Sequence, residues 1–170
     1  MVSHERLLEH ILWMWNPEQK YFEAGAHILT IKVEDIYFLI GLLRWGAPIS
    51  LTGSRGGDIT TQELINRHCI PGTRTSGKKI PIKAVVDGPL WTMLFTMQRV
   101  VGIQGVHQAS RAHMLYAIEA MAPTVFNWAE AMLSIFKDQL TKCLQGELKQ
   151  FDFGSILAYF FFERVPQMRP

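Results

Sequence analysis

Apolar side chains recur every third or fourth position through most of the chain, the spacing that gives a helix one dry face. Ser3 can cap a first helix running to about Trp15, with Leu7, Leu8, Ile11 and Leu12 on one face and Pro17 closing it. His27–Ile31 reads as a short strand. Val33, Ile36, Tyr37 and Ile40 form the next stripe, Glu34 and Asp35 complement the dipole of its first turn, and Gly41 or Gly46 ends it. Residues 44–58 are glycine-rich and read as loop with at most one short strand. Thr60 and Glu63 have capping-box spacing and start a brief helix that ends near Cys69. Ile80–Val86 fits a strand or a single helical turn, and the pattern leaves both open.

The second half is more regular. Asp87-Gly-Pro89 supplies a cap and a proline at a helix start, and Leu90–Val101 is apolar nearly all round, which predicts a central buried helix. Gln108–Met121 predicts another, ended by Pro123. Thr124 is placed to cap a long helix with the stripe Val125, Ala129, Met132, Phe136, Leu140 and Cys143, stopping at Gly146. Phe153, Ile156, Leu157, Phe160 and Phe161 mark a last helix before Pro166. Helix then covers roughly half of the chain, above the one-third base rate. The expected fold is all-α: a compact single-domain bundle of about six to eight helices over residues 1–170, with at most one short β-hairpin near residues 27–52.

Composition agrees with a folded domain. Of 170 residues, 48% are apolar and 19% charged, too apolar for a disordered tail and enough chain for one core. The longest apolar run, Ile156–Phe162, falls well short of the roughly 18 residues that cross a membrane. With no secretory pattern at the N-terminus and only Cys69 and Cys143, a soluble protein of a reducing compartment, away from membranes, is expected.

Charge changes the picture in one place. The net charge is +2, yet Arg67, Arg74, Lys78, Lys79 and Lys83 follow one another with no acid between 67 and 83. The rest of the chain holds 12 basic and 15 acidic residues, so positive charge is concentrated in this loop, which reads as basic and flexible. Such a loop can track a phosphate backbone by displacing counterions, with Arg44 and Arg55 as further contacts. No aromatic residue lies within it to stack a base, and a solvated surface loop is the plainer reading. Gly72–Lys79 also has the spacing of a phosphate-binding loop, but Lys79 stands where a hydroxyl must meet magnesium, and Pro81 follows too soon for a helix start.

Other chemistry is sparse. His4/His10 and His107/His113 are six apart and His68-Cys69 adjacent, spacings that do not align metal ligands on a helix. Neither cysteine has a nucleophile motif; Cys143 reads as core and Cys69 as a weak thiolate candidate beside His68. Glu163-Arg164 closes a helix and reads as an ion pair with another part of the fold. Trp13, Trp15, Trp91 and Trp128 read as core, whereas Trp45 sits in a polar loop, where it can anchor a partner or fold over the core edge. No catalytic, cofactor or metal residue is assigned.

Tyr21–Leu42 followed by Gly46-Ala-Pro48-Ile49 resembles the plant mobile domain. The resemblance rests on Phe22, Gly25, Thr30, Val33, Glu34, Asp35, Ile36, Leu39, Gly41, Leu42, Gly46 and Pro48. Lys32 departs from it, standing where the family has a capping Thr, and Ala26-His27 replace an acidic position. Similarity in kind extends over about residues 12–166 and is most specific at 21–49.

The resemblance implies an all-helical, transposon-derived nuclear domain linked to transposon silencing, gene expression and meristem maintenance. It implies protein partners, a nuclear phosphatase-like protein among them. The family's aminotransferase-like label finds no supporting residue in the sequence: a pyridoxal phosphate enzyme needs a Schiff-base lysine and a phosphate cup on a larger scaffold. The expectation is a non-enzymatic interaction module without a cofactor. The alternative is a nucleic-acid-binding module using residues 67–83.

Overall fold

In a computed structural model of the chain, the described residues are 4–49, 59–75, 79–101, 108–148 and 151–168. Seven α-helices lie among them: α1 (His4–Trp13), α2 (Val33–Ile40), α3 (Thr61–His68), α4 (Gly88–Arg99), α5 (Arg111–Ala120), α6 (Trp128–Leu144) and α7 (Gly154–Arg164). Five short strands accompany them: β1 (Trp15–Asn16), β2 (Tyr21–Ala24), β3 (His27–Leu29), β4 (Lys79–Pro81) and β5 (Gln108–Ser110). They form two antiparallel sheets, ordered β1-β2-β3 and β4-β5. With 56% of the described residues helical and 13% extended, the fold is mixed and mostly helical, which corrects the all-α expectation. The hairpin expected near 27–52 is also displaced, since β3 pairs backward with β2.

The chain divides into two compact units, Met1–Arg44 with Met132–Pro170 and the continuous segment Trp45–Ala131. In the first unit, two tight reversals build the three-stranded sheet. Lys20 (φ 59°) closes the turn between β1 and β2, and Gly25 (φ 63°) the turn between β2 and β3. Trp15 and Phe22 face each other across β1 and β2, their ring centroids 4.8 Å apart, and turn into the core. Phe22 is fully buried and also meets Phe161 edge-on at 5.0 Å. Of the stripe read for α7, Phe153, Leu157, Phe160 and Phe161 are buried and Ile156 is half-buried. Gly154 lets α7 approach α1, because a Cβ there would stand 2.9 Å from the Leu8 side chain.

Helix α2 ends at Gly41, whose φ of +80° and N–H bond to the Tyr37 carbonyl (2.8 Å) make it the left-handed cap. At the other end Asp35 Oδ2 accepts the Lys32 N–H at 2.7 Å, so the carboxylate supplies a cap that Lys32 cannot. Asp35 also holds Arg164 of α7 in an ion pair, the partner that the Glu163-Arg164 reading left unnamed.

In the second unit, Thr60 and Glu63 form the expected capping box, with Glu63 N–H to Thr60 Oγ1 at 3.2 Å and Thr60 N–H to Glu63 Oε2 at 2.7 Å. Asp87 caps α4 by accepting the Leu90 N–H at 3.1 Å. Ile80–Val86 turns out to contain both alternatives, β4 followed by a 3₁₀ turn over Ile82–Ala84. Two starts differ from expectation. Residues 108–110 pair with β4, so α5 begins only at Arg111, and Asn127 caps α6 in place of Thr124 by accepting the Glu130 N–H at 3.0 Å.

Ser110 and His113 cap α5 reciprocally: Ser110 Oγ accepts the His113 N–H at 3.2 Å, and His113 Nδ1 faces the Ser110 N–H at 3.5 Å. Only a neutral imidazole can accept there. Burial, and then the nearby Lys79 charge, hold the His113 pKa below the ordinary value of 6.5. The stability it contributes is therefore present above pH 6.5 and lost as pH falls through the folded-state value. Urea midpoints should drop between pH 7.5 and 5.5, with a slope no steeper than about 1.4 kcal/mol per pH unit for one proton. His113→Gln should flatten that drop; an unchanged pH profile in the variant would count against this coupling.

Candidate functional site

The basic segment contributes four described side chains, all exposed: Arg67 in the last turn of α3, Arg74 beyond the Gly72 turn, Lys79 opening β4 and Lys83 in the 3₁₀ turn. Lys78 lies outside the described residues, as does Arg55. Arg67 sits one turn from Glu63, whose carboxyl is held below its usual range by the Thr60 N–H and hydroxyl and, more weakly, by Arg67. Arg74, Lys79 and Lys83 are not ion-paired with any described carboxylate. Helix α3 precedes the glycine-containing turn and β4 follows it, so the helix start that a phosphate-binding loop requires is replaced by a strand. Arg44 belongs elsewhere: it pairs with Glu34 at 3.7 Å and lies over the Tyr37 ring.

The remaining sequence candidates are distributed through the scaffold. Of the family-motif positions, Phe22 is core, Gly25 and Gly41 are turn and cap, Glu34 pairs with Arg44, and Asp35 holds the start of α2. Thr30 is exposed between β3 and α2. Gly46 has a φ of +114° and lies directly against the Val125 carbonyl. Cys69 is buried at the end of α3, and burial pushes its thiol upward, away from the thiolate. Cys143 is half-buried, short of the core position expected for it. Among the described residues no group of three or more His, Cys, Asp or Glu is arranged to hold a metal.

The surface feature that the spacing misassigned is on α4. Leu90, Leu94, Met97 and the following Val101 are buried, but Trp91 and Phe95 are 40% and 41% exposed, so α4 is not the central buried helix expected. The two rings stack at 5.2 Å with an interplanar angle of 12°. Trp91 borders a cleft of about 730 Å³ with Met93 and Met121, and no residue lining that cleft carries a charge. Phe95 lies beside it, with the Arg99 guanidinium 5.5 Å from its ring centroid. Thr92 and Thr96 donate their hydroxyls to the Gly88 and Thr92 carbonyls, both at 2.9 Å, so neither side chain offers a free donor outward. Val86 and Val125 are exposed in the same unit, at 62% and 45%. Trp13 is exposed as well, at 78%, whereas Trp15 alone of the expected core tryptophans is almost fully buried.

The sequence carried a signal for this surface. A helix that is apolar all round is either enclosed on every side or presents a dry face outward, and the i, i+4 aromatic pair Trp91/Phe95 lies on the α4 face away from Leu90 and Leu94. Among the described helices none is long and apolar enough to cross a membrane. No family model, no curated protein and no solved structure matches the chain.

Proposed function

We propose that the chain is a non-enzymatic protein-interaction module of transposon origin that works in the nucleus, as its resemblance to plant mobile domain proteins implies. The observation that carries the interaction reading is the exposed, stacked Trp91–Phe95 pair beside an uncharged cleft, because large apolar side chains gathered on a folded surface mark sites where another protein is bound. Stacked aromatics contribute much contact area at small entropic cost, which makes Trp91 the anchor of the surface. Affinity capture from plant nuclear extract should recover a partner that survives raised salt. The double variant Trp91→Ser/Phe95→Ser should lose it at least tenfold while keeping its circular dichroism. Equal capture by that variant would defeat the reading.

A second reading is supported by a separate observation: three exposed cations of the basic segment, Arg74, Lys79 and Lys83, have no carboxylate partner among the described residues. In that reading Arg67, Arg74, Lys78, Lys79 and Lys83 contact a nucleic-acid backbone. Affinity for duplex DNA or RNA should then fall steeply with salt, by a log–log slope of about −0.9 per phosphate contacted on duplex DNA, and vanish when the five are changed to Ala. Salt-independent binding would count against it.

A further inference from the structure

The three-stranded sheet ends on β3, whose far side no other strand covers among the described residues. The direction of the backbone groups on that edge follows from the pairing. Glu23 donates its N–H to the Met14 carbonyl at 2.7 Å, so its backbone points toward β1. In an antiparallel sheet successive residues point alternately to either side, so Phe22 and Ala24 point toward β3 and bond Leu29 and His27. Ile28, opposite Glu23, therefore directs both its N–H and its carbonyl away from the sheet. Among the described residues neither group has a hydrogen-bond partner, and the Ile28 side chain is 64% exposed. Thr30, two residues on, is likewise exposed.

A groove of about 560 Å³ at β3 is lined by Ala24 of β2, by Ala26, His27, Ile28 and Leu29, and by Arg164 and Pro166. Its charged group is cationic. Arg164 bonds Asp35 through one nitrogen and keeps its side chain half exposed. A guanidinium has five N–H donors, so the Asp35 contact leaves others for a second carboxylate.

We propose that the β3 edge and this groove bind an extended peptide segment of a partner protein, added as a fourth strand, with an acidic side chain directed at Arg164. This deepens the protein-interaction reading and rests on it. A donor and an acceptor projecting together from Ile28 match the backbone of an extended chain. A second copy of this protein fits less well: a three-residue edge, roughly 10 Å long, is too short to cover by itself the roughly 800 Å² per partner of a stable interface.

The test uses a fluorescein-labelled peptide, Thr-Val-Glu-Val-Thr-Val, with fluorescence anisotropy as readout. Two controls replace its Glu by Lys or N-methylate its alternate amides. The Glu peptide should bind saturably, the Lys peptide about tenfold more weakly, and the N-methylated peptide at least tenfold more weakly. Ile28→Pro removes the outward N–H where an edge strand tolerates proline, and should weaken binding at least tenfold with the fold intact. Ile28→Thr keeps the N–H and should bind within about threefold of the parent. If Ile28→Pro unfolds, the N-methylated peptide carries the same test on the unaltered chain. Equal binding of the N-methylated or Lys peptide, or a flat titration, overturns the proposal. So does a dimer in sedimentation that Ile28→Pro abolishes, because the edge would then serve a second copy. Capture through Trp91 and Phe95 is read separately, so the peptide site can fail while the interaction module stands.

Discussion

Ending the chain at residue 149 is expected to give an insoluble product. The cut removes α7 and with it Phe153, Leu157, Ala158, Phe160 and Phe161, all buried. Phe153 lies against Phe136 at 5.6 Å, and Phe160 and Phe161 lie against Phe22, so the truncation would strip cover from two rings that are otherwise fully enclosed. Each lost phenylalanine contributes about 1.5–3 kcal/mol of burial, and the three together approach the whole of a domain's typical 5–15 kcal/mol. The Asp35–Arg164 pair goes as well, leaving a nearly buried carboxylate without its cation. Recovery of a soluble fragment with a cooperative thermal transition would refute this account of α7.

Gly46→Ala is expected to be the most damaging single methyl addition among the described glycines. Ala47 donates to the Val125 carbonyl at 2.8 Å and accepts from the Asn127 N–H at 3.0 Å, which draws residues 46–47 against 125–127. A Cβ on Gly46 would collide with the Val125 carbonyl oxygen and stand 2.7 Å from its carbon; both are backbone atoms that cannot swing aside. The φ of +114° adds strain of its own for any side chain. Together these should cost about 3 kcal/mol or more, read as a lowered urea midpoint. Gly72→Ala isolates the strain in the same unit: its φ is +80°, no atom lies within 4 Å of its Cβ, and about 1 kcal/mol is expected. Equal losses in the two variants would show that the collision contributes nothing.

Gly46 also shows where local pattern stops being informative. Glycine there could be read as a turn or a helix end, because the carbonyl that forbids a side chain comes from a segment almost eighty residues away. What sequence exposes well is chemistry confined to one turn: the Thr60–Glu63 box, the Asp87–Pro89 start and the α7 stripe all appear as read. Of the sheets, the sequence marks His27–Ile31 as a strand and leaves Ile80–Val86 open, but it does not show β1, β2, β5 or any pairing, for the opposite reason. Strands of two to four residues are too short for alternation to register, and the β4–β5 pairing joins residues far apart in the chain. The Ser110 cap was obscured because the same few residues close a strand and open a helix. At α4 the composition was read correctly and its consequence was not, since Trp91 and Phe95 satisfy an apolar pattern without being enclosed. The Ile28 edge had no local mark at all, because an unpaired amide is a property of what is missing beside it.

The first unit is made from two stretches separated by the whole of Trp45–Ala131. On the ribosome, Ile11, Phe22 and Ile36 therefore emerge well before the helices that enclose them. At about 5–20 residues per second the delay is on the order of ten seconds, while the continuous middle segment can collapse as it appears. Newly made chains should accordingly engage holdase chaperones through their N-terminal sheet, and release should coincide with translation of the last phenylalanines.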